Sequence, residues 1–362
     1  MQDEICVRFS RIAFEGVTAM NIRLAIMCIA TLGALPIAAQ DEGLHHRFAQ
    51  VNGIKMHYAE LGSGPLVVLV HGFPESWYSW RHQLPALADA GFHVVAPDMR
   101  GYGQTDVPPE IASYTILHLV GDVAGLVESL GEKQAIIVGH DWGATVAWNA
   151  ALLRPDMFRA VVAMSPYRPR GAVPPLRALR DAGLYTYYWL YYQEPGVAEA
   201  EYERDLKATF RRRMYTSSGD APPDAPDPYV LKPGKGALDS TIDPVRLPTW
   251  LTEVDIDYMA ADFKRTGFRG ALNWYRNIDR NWELLAPWSG ARIQQPALFI
   301  AGARDPFLSS PTGKAPLAEM KTTVPNLKRQ LIIDGAGHWI QQERPKEVNA
   351  ALIEFLRSIS RH

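Results

Sequence analysis

One short turn in the middle of the chain constrains its fold more than any other stretch. An apolar run, Ile136-Ile-Val138, meets Gly139-His-Asp-Trp-Gly143 and continues as Ala144-Thr-Val-Ala-Trp-Asn-Ala-Ala-Leu-Leu153. A β-branched run, a glycine-flanked turn and a segment of helix formers predict a strand that bends sharply into a helix. The two glycines are expected because such a turn is strained and leaves little room for a Cβ on either side.

The residue at the bend determines the chemistry. Strand, G-x-nucleophile-x-G and helix form the nucleophile elbow of the α/β-hydrolase fold, and the central residue here is Asp141 rather than serine. An Asp with an ordinary pKa near 4 is ionised at pH 7, and a helix N-terminus favours the carboxylate further. Such a carboxylate can attack a saturated carbon and become an alkyl ester. The alternative is that Asp141 only caps the following helix.

Strands and helices alternate along most of the chain, which predicts an α/β fold with a mostly parallel sheet flanked by helices. A hairpin is expected at Asn52-Gly53. Further strands are predicted at 66–70, 93–96, 136–138, 160–164, 296–300 and 327–333, with helices at about 116–130 and 345–359.

The alternation stops in the Tyr- and Trp-rich residues 165–289, which read as mostly helical. They predict a cap domain inserted into a core of residues 40–164 and 290–362, above the carboxyl ends of the strands, where ligands bind in open α/β sheets. Its irregular stretch, 217–236, is expected either to gate substrate access or to be a solvated loop without function.

Two loops in the last third of the chain supply partners for Asp141. Asp305 follows one predicted strand in Gly302-Ala-Arg-Asp-Pro306, and His338 follows the last strand among glycines. Asp141, Asp305, His338 is the nucleophile–acid–base order of this fold. Asp305 could instead cap a turn, and Asp334 is a rival acid.

Hydrolysis of an ester on Asp141 requires an oxyanion hole. The fold builds it from the backbone N–H after the nucleophile, here Trp142, and an N–H of the loop after the third strand, here Phe73. His71 is also expected to hold that loop by hydrogen bonds. The predicted walls of the substrate pocket are His71, Pro74, Trp250 and Trp339.

The composition excludes several classes of partner. The 362 residues are 47% hydrophobic and carry a net charge of −2, so neither nucleic acid nor an anionic membrane is expected as a partner. Spacings among the remaining histidines do not suit a metal, and no metal and no organic cofactor is predicted. The oligomeric state cannot be read from the sequence.

Residues 1–39 resemble a secretory signal peptide. A basic start at Met20-Asn-Ile-Arg23 precedes a short apolar core and small residues that end at Ala39. Translation is expected to begin at Met20, because acidic residues dilute the charge before it. Cleavage after Ala39 would export a cysteine-free chain, periplasmic or secreted, without a stable membrane span. The alternatives are an uncleaved anchor and, without a working signal, a cytoplasmic protein.

Several longer motifs resemble the soluble epoxide hydrolases, in particular the hydrolase domain of the vertebrate soluble enzyme. The similar stretches are His71-Gly-Phe-Pro-Glu-Ser-Trp-Tyr-Ser-Trp80, Gly139-His-Asp-Trp-Gly143, Tyr192-Gln-Glu-Pro-Gly-Val-Ala-Glu-Ala200, Gly267-Phe-Arg-Gly-Ala-Leu-Asn-Trp-Tyr-Arg-Asn277 and Gly337-His-Trp339. The resemblance runs from about residue 46 to residue 362. The phosphatase domain that precedes the hydrolase domain in the vertebrate enzyme has no counterpart in this sequence.

The resemblance implies two tyrosines that donate hydrogen bonds to an epoxide oxygen. The matching positions are Tyr275 and Tyr188, and a phenol can hydrogen-bond to or protonate the alkoxide formed on ring opening. The expected function is conversion of a lipophilic epoxide and water to a vicinal diol through an ester on Asp141. The alternatives are a haloalkane or haloacid dehalogenase with the same nucleophile, and a non-catalytic binding protein on the same scaffold.

Overall fold

The computed structural model describes residues 43–167, 169–310 and 314–359. The predicted signal segment, with Met20 and Ala39, lies outside the described residues. Within those ranges, no helix has both the length and the apolar character needed to cross a membrane.

A single sheet forms the centre of the described structure. Its strand order is β1-β2-β4-β3-β5-β6-β7-β8, with β1 and β2 antiparallel to their neighbours and the others parallel. The strands are β1 (His45–Val51), β2 (Ile54–Leu61), β3 (Leu66–Val70), β4 (His93–Pro97), β5 (Ala135–His140), β6 (Phe158–Met164), β7 (Ala297–Gly302) and β8 (Leu327–Ile333). The predicted mostly parallel α/β sheet is therefore confirmed.

The hairpin turn follows from two residues that tolerate positive φ. Asn52 has φ 44° and Gly53 has φ 79°, and both signs suit the two-residue turns that match the twist of the flanking strands. Val51 and Ile54 pair directly across the turn.

Helices cover both faces of the sheet, which explains why the central strands are apolar throughout. In β3, Val68 and Val70 belong to one hydrophobic core, whereas Val67 and Leu69 belong to the other. Successive side chains of a strand point to opposite faces, so a strand covered on both sides needs apolar residues at every position.

The helices outside the cap are α1 (Gln83–Asp89), α2 (Ile116–Ser129), α3 (Trp142–Leu153), α11 (Pro306–Ser309), α12 (Lys314–Thr323), α13 (Ile340–Glu343) and α14 (Pro345–Ile359), with 3₁₀ turns at Trp77–Trp80 and Ile111–Tyr114. Of these, α11, α12 and α13 were not predicted from the sequence. The last helix begins and ends as predicted.

Between β6 and β7 the described chain is helical, within the residues predicted as the cap. The elements are α4 (Pro175–Asp181), α5 (Tyr188–Tyr191), α6 (Val197–Glu203), α7 (Leu206–Thr216), α8 (Glu253–Thr266), α9 (Arg269–Arg276) and α10 (Ile278–Leu284), with 3₁₀ turns at Ala237–Ser240 and Ala286–Trp288. Residues 217–236 contain no helix or longer strand, only an isolated bridge from Val230 to Tyr187.

Candidate active site

The turn between β5 and α3 is strained and tightly packed. Asp141 has φ 52° and ψ −119°, a conformation that L-residues rarely adopt. A Cβ on Gly139 would lie 2.0 Å from the Gly143 carbonyl oxygen, and one on Gly143 would lie 1.9 Å from that of Val70. Both glycines are therefore required by the close approach of backbone segments.

The Asp141 side chain does not cap α3. It makes no capping hydrogen bond to the helix, and its Oδ1 instead accepts a hydrogen bond of 2.8 Å from the Phe73 backbone N–H. Asp141 is 8% exposed. The strained turn therefore presents the carboxylate to a donor from another loop, and the helix-cap interpretation is wrong.

His338 lies between two carboxylates. Its Nε2 is 3.6 Å from Asp141 Oδ2, and its Nδ1 is 3.2 Å from Asp305 Oδ2. Asp305 also accepts a hydrogen bond from the Phe307 N–H, so it caps a turn and orients the histidine at once. The rival acid Asp334 is exposed to solvent. Three strand-end loops thus bring Asp141, Asp305 and His338 together.

These three groups shift one another's pKa values. Burial alone would raise the pKa of Asp141, but hydrogen bonding and charge from His338, with His140 and the Phe73 N–H, hold it below its usual value. Burial is likewise outweighed at Asp305, whose pKa His338 lowers. Burial would lower the pKa of His338, yet the two carboxylates raise it to about 10. The resting site therefore holds an imidazolium between two carboxylates.

A buried polar network beneath the site was not predicted. His140 Nδ1 lies 2.8 Å from Glu75 Oε2, and His140 Nε2 lies 2.8 Å from the His338 carbonyl oxygen. Glu75 also accepts hydrogen bonds from the side chains of Gln341 and Gln342. His140, the last residue of β5, therefore connects Glu75 in the loop after β3 to the backbone of the His338 loop.

The loop after β3 is held by His71. Its Nε2 accepts a hydrogen bond of 3.0 Å from the Met99 N–H, so Nδ1 carries the proton and donates to the Gly72 carbonyl oxygen at 2.9 Å. Burial lowers the pKa of His71, which favours this neutral form. Phe73 and the buried Pro74 follow directly. The ring of His71 thus fixes the peptide that donates to Asp141.

Aromatic side chains from the cap lie above the nucleophile. The Tyr275 ring, on α9, is 5.7 Å from the Tyr188 ring, on α5, and 5.2 and 5.3 Å from the rings of Trp142 and Phe73 (centroid distances). Burial, followed by the proximity of Tyr188 and Asp141, raises the pKa of Tyr275 well above 10. Its phenol is therefore neutral and remains a hydrogen-bond donor at pH 7.

Two predicted pocket residues occupy different surroundings. Trp339 is buried, its ring lies 4.8 Å from that of His338, and its indole N–H donates to the Met214 carbonyl oxygen. Trp250 is only partly buried and donates its indole N–H to Asp220. The role of Trp250 as a pocket wall stays a prediction.

Known proteins of one family are similar to this chain in sequence and in fold. The family profile described as alpha/beta hydrolase fold matches residues 65–217. Epoxide hydrolase A of Mycobacterium tuberculosis is 48% identical over 321 residues, which cover 86% of this chain and 97% of that protein. The crystal structure of epoxide hydrolase A from Mycobacterium thermoresistibile superposes with a TM-score of 0.82 at 48% identity, over 87% of this chain and 98% of that one. The chain belongs to the epoxide hydrolases.

The resemblance to the vertebrate soluble enzyme is confirmed as well. Bifunctional epoxide hydrolase 2 of Sus scrofa is 39% identical over 345 residues, covering 93% of this chain and 60% of that longer protein. The relatives named here are epoxide hydrolases, so they give no support to the dehalogenase or the non-catalytic scaffold.

A cavity of about 430 Å³ adjoins the site at Trp142. Asp141, Asp305 and His338 do not line it, so it extends away from the nucleophile along α3 and the cap. Its apolar walls include Trp142, Trp148, Trp189, Trp282, Leu285 and Trp288.

The sequence reasoning missed Tyr229 as well. This buried tyrosine stacks on Tyr188 with ring centroids 5.1 Å apart, and its carbonyl oxygen accepts the Tyr188 N–H. It lies in the irregular stretch 217–236, where no periodic pattern marks a buried position. In the parts of the chain that the structure describes, no cluster of three His, Cys, Asp or Glu side chains could hold a metal ion.

Proposed function

We propose that this epoxide hydrolase opens its substrate with Asp141 and hydrolyses the resulting ester with His338. The observation that carries the proposal is the position of the Asp141 carboxylate. One oxygen is held by the Phe73 N–H, while the other lies towards His338. The rings of the cap residues Tyr188 and Tyr275 lie 5.7 Å apart, and the Tyr275 ring packs against that of Trp142, the residue after Asp141. Their phenols are the donors that we assign to the oxygen of an opening epoxide.

In the first half of the reaction, Asp141 Oδ2 attacks one carbon of the epoxide. A bond forms between Oδ2 and that carbon, and the bond from the same carbon to the epoxide oxygen breaks. Tyr188 and Tyr275 stabilise the oxygen as it gains negative charge, and a proton delivered through a phenol makes it a hydroxyl group. Oδ1 becomes the ester carbonyl oxygen and is already bonded to the Phe73 N–H.

In the second half, water attacks the ester carbonyl carbon and gives a proton to His338. The oxyanion on Oδ1 is stabilised by the Phe73 N–H and, in the predicted hole, by the Trp142 N–H. Because the ester has no charge, one of the two carboxylates that raise the pKa of His338 is absent at this stage, so the pKa falls and the imidazolium loses a proton, which balances the one delivered through the phenol. The neutral imidazole is then available to accept the proton of the attacking water. Collapse of the intermediate releases the diol and restores the carboxylate, and the proton accepted by His338 restores the imidazolium of the resting site.

The walls around the site favour a lipophilic epoxide. The Tyr275 ring packs against those of Phe73 and Trp142, the residues that adjoin Asp141, and the adjoining cavity is lined mostly by indole and aliphatic groups. Its volume, about 430 Å³, lies in the range of sites that hold small organic ligands. An apolar substituent on the epoxide can therefore leave water on binding.

The decisive experiment offers an aryl epoxide and a bromoalkane in parallel to the purified chain. Diol without halide release is the expected result, and halide without diol would refute the proposal. A single turnover in ¹⁸O-labelled water tests the route, because water attacks the ester carbonyl. The label should appear in Asp141 and not in the first diol formed. Label in that diol would show direct attack by water on the epoxide.

We also propose that the enzyme is exported, on the strength of the signal-like residues 1–39. Expression of the full chain in a Gram-negative host, followed by fractionation and N-terminal mass spectrometry, tests this. A periplasmic chain that begins at Gln40 is expected. A chain that keeps residue 39 and stays in the cytoplasm would contradict export.

A further inference from the structure

Residues 217–221 of the cap dock directly against the loop that carries His338. A Cβ on Gly219 would lie 2.1 Å from the Gly335 carbonyl oxygen, and a Cβ on Gly337 would lie 2.3 Å from the Gly219 nitrogen. The two backbones are therefore closer than any side chain would permit. The His338 N–H donates to the Ser217 carbonyl oxygen at 2.8 Å. Residues 217–219 are buried, so this part of the irregular stretch is not a solvated loop.

One buried carboxylate joins the two segments. Glu343, at the end of α13, is 5% exposed. Its Oε2 accepts hydrogen bonds of 2.8 Å from the N–H groups of Gly219 and Gly337. Its Oε1 accepts one of 2.9 Å from the Trp339 N–H. The Glu343 carboxylate thus binds the cap at Gly219 and also binds the residues on both sides of His338.

The loop that carries Asp305 is bonded to the same cap residues. The Arg304 guanidinium donates to the carbonyl oxygens of Gly219 and Ala221, the latter at 2.7 Å. Arg304 is exposed and its two bonds are part-buried, whereas the three bonds of Glu343 are buried. Glu343 is therefore the group whose loss should matter most.

We propose that Glu343 is a positioning residue for His338, through which the docked residues 217–221 control ester hydrolysis but not ester formation. The proposal rests on the function proposed above. Formation of the ester uses Asp141, Tyr188 and Tyr275, and Glu343 bonds to none of them. Hydrolysis requires the imidazole at a fixed distance from the ester, and a displacement of about 1 Å can lower a rate by about 100-fold.

The test is Glu343→Gln, which keeps the shape but replaces one acceptor oxygen with a donor facing backbone N–H groups. Rapid mixing with an aryl epoxide, followed by quenching and intact-mass spectrometry, measures ester formation and decay separately. Formation should stay within about 2-fold of the wild-type rate, while decay slows by roughly 10- to 100-fold and ester accumulates. Glu343→Asp keeps the charge and should recover part of the decay rate.

A residue with a purely structural role would lower both steps together, in proportion to the folded fraction, or neither. Either result would overturn the proposal. Gly219→Ala gives a second route, because it displaces residues 217–221 without altering Glu343, and it should slow decay selectively. Glu354→Gln is the matched control, since Glu354 pairs with Arg329 on the surface. A wild-type chain that forms no ester would instead refute the proposed function itself.

Discussion

The core and the cap contribute opposite kinds of groups to the site. Loops of the core supply charges, the carboxylates of Asp141 and Asp305 around the imidazole of His338. The cap supplies neutral rings, Tyr188 and Tyr275. The core groups hold their ionised forms through mutual pairing, whereas burial keeps the Tyr275 phenol protonated.

This difference separates the two halves of the reaction. Charge on the epoxide oxygen develops next to the cap, so neutral donors there stabilise ring opening. Proton removal from water takes place next to the core, where a base oriented by a carboxylate is needed. Substitutions in the core and in the cap should therefore block different steps, and the following predictions test that division.

The largest effect is expected for Asp141→Asn, which removes the nucleophile while keeping its shape at a strained turn. Turnover of an aryl epoxide should fall by at least about 10,000-fold, and intact-mass spectrometry should show no ester. Circular dichroism checks that the fold is retained. Ester formation on another residue would show that the nucleophile has been assigned wrongly.

His338→Gln should lower turnover by about 1,000-fold, through the second half alone. The ester should form at a near-normal rate and accumulate to one equivalent, because the Phe73 N–H and the cap are unchanged. Quenched-flow mass spectrometry separates the steps. Free enzyme after mixing with substrate would mean that His338 is also needed for ring opening, and the division between core and cap would fail.

Tyr275→Phe and Tyr188→Phe should each slow ester formation by about 100-fold and leave ester decay within about 2-fold. Each change removes one O–H from the pair and keeps the ring packing. The double variant tests cooperation, because one remaining phenol still stabilises part of the charge. A change that slows decay and not formation would place the tyrosines in the wrong half of the reaction.

Stability should depend on pH through the charged core and not through the cap phenols. The pKa of His338 rises from 6.5 to about 10 on folding. Its contribution to stability is therefore complete below about pH 6.5 and is lost as pH rises through 10. Urea unfolding of wild type and His338→Gln should give a difference in unfolding free energy that declines over this range. A constant difference would contradict an imidazolium in the resting site.

Of the residues proposed to take part in the reaction, those that could be predicted from local sequence patterns lie in the core, and those that could not lie in the cap. Asp141 follows β5 directly, and Asp305 and His338 lie in the loops that follow β7 and β8. Because the carboxyl ends of parallel strands meet at one edge of the sheet, short spacing patterns were enough to predict them. The cap tyrosines were assigned by resemblance alone, because no local period distinguishes Tyr188 from Tyr187 or Tyr192.

Glu75 and Glu343 could not have been predicted in this way. Each accepts hydrogen bonds from groups that lie far apart in the chain, such as Gly219 and Gly337 for Glu343. Which N–H groups meet a carboxylate is decided by how the segments dock. Gly219, Gly335 and Gly337 mark that contact in the sequence, and their close packing is visible only in three dimensions.

The smallest effect is expected for Trp250→Phe. Trp250 was predicted as a pocket wall, yet its indole N–H donates to Asp220, a solvent-exposed residue of the 217–221 segment. Loss of that bond should lower the unfolding free energy by about 1 kcal/mol or less. KM and ester formation should stay within about 2-fold, because the ring still packs at the same place.

An increase in KM of about 10-fold for an aryl epoxide, with kcat unchanged, would instead show that Trp250 contacts the substrate. A selective slowing of ester decay would show that Trp250 acts on His338 through residues 217–221. The cap would then influence ester hydrolysis through its backbone, in addition to influencing ring opening through its phenols.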